Sequence, residues 1–374
     1  MRIKLGLGAA AFAAVALVAA APAAARGESV YVSPTGSAGA SDRSCSTAGY
    51  SSIQDAIEAS VLGGTVVVCS GTYPGLVTVD QRVTLYGMPG ATIDATGMPY
   101  GVGVSASYST VTGLTVENAS PLDPENGQLA DGIVTIGLGP SGPVAADHVS
   151  IIHNVVKGNL GSGIDLNSTS YSTAFGNVAN DNGVGINVAD DLGQPATHNK
   201  VVLNRANRNF GGCGIALADH SGAGVNDNLV MLNRANANGL GTPTAPEASA
   251  GSGVILASAV PNAIVTGNVI TLNHFARNGH AGVVVHAHVP GADFSGNVIS
   301  ANVIGTNNLR TDENDLQTTG IYLGSASPQT FTVTDNLIRN DYYGIFTSGP
   351  VTATGANSNR FVRVTQPFGS APNF

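Results

Sequence analysis

The sequence predicts an all-β chain: a right-handed, single-stranded parallel β-helix of about ten coils, closed at its N-terminal end by a short helix. Asparagines recur in phase five residues apart, and a Gly followed directly by Ile or Val recurs once per segment; fixed phase is the sign of a solenoid. No helix-period pattern separates the predicted strands, which excludes a parallel sheet of alternating strands and helices.

The first element is a leader. Arg2 and Lys4 precede an uncharged Ala/Val/Leu stretch that ends on Ala23-Ala24-Ala25, the pattern of a signal peptide over 1–25. The remainder, 26–374, reads as one domain because no linker or composition shift interrupts it, with cap and first coils over about 28–115 and repeat coils over about 116–362. It is expected to be secreted and extracellular. Loss of Arg2 and Lys4 takes the formal charge from −9 to −11, so no nucleic-acid partner is expected, because backbone binding requires a basic face. No later stretch reaches the roughly 20 apolar residues of a membrane-spanning helix. The sequence does not indicate an oligomeric state.

Next comes the cap. Ser51-Ser52-Ile53-Gln54-Asp55-Ala56-Ile57 reads as a capped helix, followed by strand patterns at Gly64-Thr-Val-Val-Val-Cys and Val83-Thr84-Leu85-Tyr86-Gly87. Cys45 and Cys69 flank this helix and first strand and are the expected disulfide of an exported chain, stabilising by roughly 3 kcal/mol if it closes. Cys213 is left over and reads as a small buried residue.

The repeat follows. Six asparagine pairs lie five residues apart, Asn154/Asn159, Asn177/Asn182, Asn199/Asn204, Asn228/Asn233, Asn268/Asn273 and Asn297/Asn302, and Asn336 is followed by Asp341. Between them stand aliphatic strand segments such as Leu229-Val230-Met231. Asn suits the turns because it tolerates left-handed backbone and its amide can satisfy backbone groups. The glycines before Ile or Val are Gly132, Gly163, Gly185, Gly214, Gly253, Gly282, Gly320 and Gly344, at spacings of 31, 22, 29, 39, 29, 38 and 24. A turn of about 22 residues is therefore stretched by insertions.

With these motifs in place, the chain resembles the parallel β-helix repeats of the pectate-lyase-like superfamily over about residues 28–362. The resemblance implies the fold, with a helix capping the first coil, and leaves the activity open among lyases, hydrolases, epimerases, esterases and non-catalytic proteins.

Function on a solenoid lives on insertions and outward side chains. Three insertions, Ser120 to Asp131, Leu240 to Ser252 and Asn308 to Thr319, each precede a Gly-Ile or Gly-Val step. The first two bracket four coil steps, a groove of roughly 19 Å at the spacing of paired strands. On its floor, directly after Gly-Ile, stand Asp165 and Asn187, where other coils place Val134, Ala216, Ile255, Val284, Tyr322 and Phe346. Beyond them come Asp190 and Asp191, then Asp219 and His220 one coil later, with His286 and His288 further on. Paired carboxylates of opposite protonation are what glycoside hydrolysis requires. The set resembles that of the polygalacturonases, with an Asp on one coil, an Asp-Asp pair on the next and a His on the following one. Here these are Asp165, Asp190-Asp191 and His220. The chain departs in having Ala189 before the pair, Asp-His-Ser around His220 and no Arg-x-Lys.

The catalytic candidates are thus Asp165, Asp190, Asp191, Asp219 and His220, and the substrate-binding candidates Asn187, Arg205, Arg234 and Tyr171. A lyase would instead use a Lys or Arg base among Lys157, Lys200, Arg205, Arg208, Arg234 and Arg277. Arg205 and Arg234 should stack as neighbours. No cofactor is required; calcium is the cation that Asp123, Glu125 and Asn126, or Asp312, Glu313, Asn314 and Asp315, could hold. The expected function is cleavage of an extracellular polysaccharide, by hydrolysis rather than elimination. The competing expectation is a non-catalytic carbohydrate-binding or cell-envelope structural protein.

Overall fold

The structure is a computed structural model and describes residues 29–38, 41–121, 130–139, 142–241, 251–287, 289–310 and 317–373. The predicted signal peptide, His288, and the calcium candidates Asp123, Glu125, Asn126, Asp312, Glu313, Asn314 and Asp315 lie outside these residues.

Among the described residues the strands stack into a twelve-stranded sheet, an eleven-stranded sheet and two five-stranded sheets, with parallel pairing from coil to coil. One coil shows the plan: Leu229–Met231 belongs to the twelve-stranded sheet, Arg234–Asn236 to a five-stranded sheet and Val254–Ser258 to the eleven-stranded sheet. Strands alternate inward and outward, so register builds columns. Val111, Ile151, Ala174, Val201, Val230 and Ile270 align from coil to coil, all fully buried. Each larger aliphatic in such a column contributes about 1.5–3 kcal/mol by burial.

The predicted cap is present. Helix Ile53–Ala59 starts at Ser52, whose side chain accepts from the Asp55 N–H, and it buries Ile53, Ala56 and Ile57 against the first coils. Cys45 and Cys69 are bonded, with their Cα atoms 5.6 Å apart. At the other end the coils run past the predicted limit of 362: Gln366–Ala371 pairs with Tyr343–Ser348.

The asparagines hold the turns, in three ladders. Asn233 shows the bonding. Its Oδ1 accepts from the backbone N–H of Asn204 at 2.8 Å, and its Nδ2 donates to the Val201 carbonyl at 2.7 Å and to Asn273 Oδ1 at 3.0 Å. The first ladder runs from Asn154 through Asn177, Asn204 and Asn233 to Asn359. A second runs from Asn159 through Asn182 and Asn209 to Asp341. The third joins Asn199, Asn228, Asn268 and Asn297. This corrects the phase read from sequence, in which Asn199 was equated with Asn177: Asn177 stacks on Asn204. The Gly-Ile glycines pack behind the second ladder. A Cβ on Gly185 would come within 2.4 Å of the Gly214 carbonyl and 2.6 Å of Asn209 Nδ2, so no larger residue fits.

Asp341 ends the second ladder where the other coils have Asn. Its Oδ1 accepts from the Asn307 N–H at 2.8 Å, while Oδ2 is buried without a hydrogen-bond partner among the described residues. Burial pushes this carboxyl up to about 8, against the pull of the Asn307 bond. An acid raised in the folded state stabilises fully below its unfolded value, near 4, and loses that contribution as pH rises through its folded one. Asp341→Asn is therefore expected to raise stability at pH 7 by roughly 1–3 kcal/mol. Thermal unfolding should show the gain shrinking towards pH 4.

Candidate functional site

The floor of the predicted groove lies on the eleven-stranded sheet. Asp131 and Ser252, which end the first two insertions, stand at the start of strand Asp131–Val134 and just before strand Val254–Ser258 of that sheet. Strands Ser162–Asn167, Val184–Ala189 and Ile215–Asp219 lie between them. Val134, Asp165, Asn187, Ala216, Ile255, Val284 and Tyr322 align in one outward column, the register expected from the Gly-Ile steps.

Asp165 is buried and accepts two amide bonds, from Asn187 Nδ2 to Oδ1 and from Asn167 Nδ2 to Oδ2, both at 3.0 Å. The Asn167 amide also reaches Asp191 Oδ2 at 2.5 Å, while Asn167 Oδ1 accepts from the Asp191 N–H. Asp191 Oδ1 lies 2.6 Å from His220 Nδ1. One chain of contacts thus links Asp165, Asn167, Asp191 and His220. It runs from a buried carboxyl to two side chains about 35% and 41% exposed, Asp191 and His220 respectively.

Burial pushes the Asp165 carboxyl well up, and the charges of Asp131 and Asp191 add to it. The contact with Asp191 raises His220 against the opposing effect of burial, so the imidazolium is favoured. Asp131, which precedes Gly132, was not singled out in the sequence. It is buried, with Oδ1 accepting from the Ser162 N–H at 2.6 Å and Oδ2 lacking a hydrogen-bond partner among the described residues. Burial lifts it to about 7 against that bond, helped by the charge of Asp191.

The other two aspartates of the predicted set face turns. Asp190 accepts from the N–H groups of His220, Ser221, Ala223 and Gly224 and from the Ser221 hydroxyl. Burial opposes its ionisation, but these bonds together hold it below the usual carboxylate range. Asp219 accepts from the Gly222 and Ile264 N–H groups, both at 2.6 Å, and burial raises it. Both carboxylates are committed to holding the loop that follows each strand.

The remaining candidates are dispersed. Arg205 and Arg234 do stack as neighbours, on the outer side of a different sheet, and no hydrogen bond or ion pair joins them to the Asp165 cluster among the described residues. Tyr171 stacks between His148 and His198, at 5.2 and 4.9 Å, in an exposed row that starts at Tyr108. His286 packs edge-on against His280 and Tyr322, four coils from Asn167 in the same register column. Cys213 is free and buried, receiving the Ser252 hydroxyl at 3.1 Å. Among the described residues no three His, Cys, Asp or Glu side chains gather as a metal site. No helix there is long and apolar enough to cross a membrane.

No protein-family model matches the chain, and no curated protein sequence is similar to it. Solved structures are. The chain is similar to the GH136 lacto-N-biosidase of Eubacterium ramulus, with a TM-score of 0.63 and 12% identity over 92% of this chain and 66% of that one. It is similar to the pectate lyase Pel9A, with a TM-score of 0.54 and 17% identity over 88% and 78%. It is also similar to PfbA, a surface adhesin of Streptococcus pneumoniae, with a TM-score of 0.53 and 15% identity over 84% and 87%. At these identities the likeness establishes the architecture alone: the chain has the parallel β-helix fold of the pectate-lyase-like proteins.

Proposed function

We propose that the protein hydrolyses glycosidic bonds of an extracellular polysaccharide at the Asp165, Asp191 and His220 cluster. The observation that carries this reading is the single Asn167 amide that touches both carboxyl groups, one buried and one partly exposed. Breaking a glycosidic bond needs a carboxyl that gives a proton to the leaving oxygen and a carboxylate that acts as base or nucleophile. Asp165 is the proton holder, since burial and the neighbouring charges raise it. Asp191 is the carboxylate, oriented by Asn167 and by the His220 imidazolium. A glycosidic oxygen that takes the place of the Asn187 amide reaches the Asp165 proton. Because both bridged oxygens touch one nitrogen, they lie no more than about 5.5 Å apart. That is the close spacing of enzymes whose second carboxylate attacks the sugar directly and retains its configuration.

Elimination would need a cationic base beside the cluster. Lys157 and Arg208 are instead paired with Glu117 and Asp181, and Arg205 and Arg234 lie on another sheet. The fold is shared with a lacto-N-biosidase and a pectate lyase, which supports a glycan as the substrate class. The Ala-rich leader and the Cys45–Cys69 disulfide support export. The chemistry so written requires no cofactor.

The test is incubation of the purified chain with neutral and acidic polysaccharides across a pH series, following reducing ends and the ultraviolet absorbance of unsaturated products. Reducing ends without unsaturated products are expected. Asp165 and His220 act protonated and both are raised, so the rate should be high at acid pH and fall as pH rises through their titrations. Unsaturated products, or a rate that climbs into alkaline pH, would overturn hydrolysis.

A further inference from the structure

Along the outer face of the five-stranded sheets two cations pair with carboxylates from neighbouring coils, and two others stand side by side without one among the described residues. Lys157 meets Glu117 at 3.0 Å, its register partner one coil back, and Arg208 makes a forked contact with Asp181 at 2.7 and 2.9 Å. Arg205 and Arg234, both exposed, are bridge partners on adjacent coils, and His274 is the register partner of Arg234 one coil further. Neither arginine has an acidic partner among the described residues. Like charges directly opposite on paired strands repel, and a chain with a formal charge of −9 has carboxylates to spare for such positions. Two residues along, Asn207 and Asn236 point to the same side. The Asn207 Oδ1 accepts from the Asn236 N–H, the Asn236 Oδ1 lies 3.1 Å from His274 Nδ1, and the Nδ2 donors of both amides make no hydrogen bond among the described residues. Burial, and next the charge of Arg234, lower His274, a sign that positive charge is concentrated here.

We propose that this strip, Arg205, Arg234, Asn207 and Asn236, binds the oxyanion groups of an anionic glycan, at a site separate from the carboxylate cluster. Arg205 and Arg234, bridge partners on coils about 4.8 Å apart, offer guanidinium donor forks to carboxylate or sulfate groups, and the two amides add neutral donors beside them. A polymer lying along the solenoid axis presents successive anions to successive coils, and its charge removes the repulsion between the arginines. The site is independent of cleavage: it tethers a chain that the groove need not cut.

The test is equilibrium binding of fluorescently labelled glycans, one a polyuronate, one a sulfated polymer and one neutral, to the whole protein at low ionic strength. The wild type is expected to bind at least one anionic polymer about a hundredfold more tightly than the neutral one, and the uronate and sulfate arms identify the group read. The double variant Arg205→Gln/Arg234→Gln should lose about tenfold for each arginine. Arg205→Lys/Arg234→Lys should recover only part, because charge remains without the fork. Asp191→Asn should bind as the wild type does, which separates failure of this site from failure of the hydrolase reading. Without ligand the double Gln variant should unfold at the same Tm as wild type or higher, and the anionic glycan should raise Tm only in the wild type. Equal binding by wild type and double variant, or no preference for anionic over neutral polymer, would overturn the proposal.

Discussion

Replacing Asp191 by Asn is expected to slow glycan cleavage about a thousandfold, the scale of a positioned acid-base group, with the fold unchanged. The amide retains an oxygen for the Asn167 donor but has no charge to hold the His220 imidazolium, so the His220 titration should move back towards its ordinary value. Asp165→Asn separates the chemistry from the architecture. An amide closely mimics a protonated carboxyl in shape but cannot give up its proton to a leaving oxygen. If Asp165 supplies the proton, this variant should lose about a hundredfold or more in kcat while remaining folded. Undiminished turnover would assign Asp165 a packing role only.

The second large effect is on stability. Asn233→Ala removes two donated bonds and leaves the Asn204 backbone N–H without its acceptor inside the solenoid, where Asn233 is 1% exposed. A buried donor left unsatisfied costs about 1–3 kcal/mol by itself, and the lost bonds add to it. We expect a loss on the order of 3 kcal/mol, read as a lower urea midpoint with little change in slope. Asn357→Ala is the control: that asparagine is exposed in the short turn Ala356–Ser358 and its side chain makes no hydrogen bond among the described residues, so its loss should be within about 0.5 kcal/mol. Equal effects of the two substitutions would mean that the ladders do not carry the fold.

The fold was legible because strand period and Asn turns agree at every coil, and the floor column from Val134 to Tyr322 followed from counting after each Gly. Ladder phase was harder to read. Asn199, Asn204 and Asn209 are themselves spaced by five, so any adjacent two satisfy an i, i+5 rule, and only the hydrogen bonds show that Asn177 meets Asn204. The site was half legible. Asp165, Asp191 and His220 came from their outward positions, whereas a carboxylate in a turn looks the same in sequence whether it faces a groove or, like Asp190 and Asp219, collects backbone N–H groups. Asp131 and Asn167 had a signal that alignment on glycine exposes. Asp131 stands where other coils have Ser162, Val184 or Ala281, and Asn167 where they have Ala189, Ala218 and Ala257.

The proposed chemistry depends on the protonation states of two carboxyl groups bridged by one amide. Carbon NMR of protein labelled at the aspartate carboxyl carbons, titrated with pH and assigned through Asp165→Asn and Asp191→Asn, reads those states directly. The expected result is that Asp165 stays protonated well above the ordinary aspartate range. Titration of Asp165 near pH 4, as for an exposed aspartate, would contradict it.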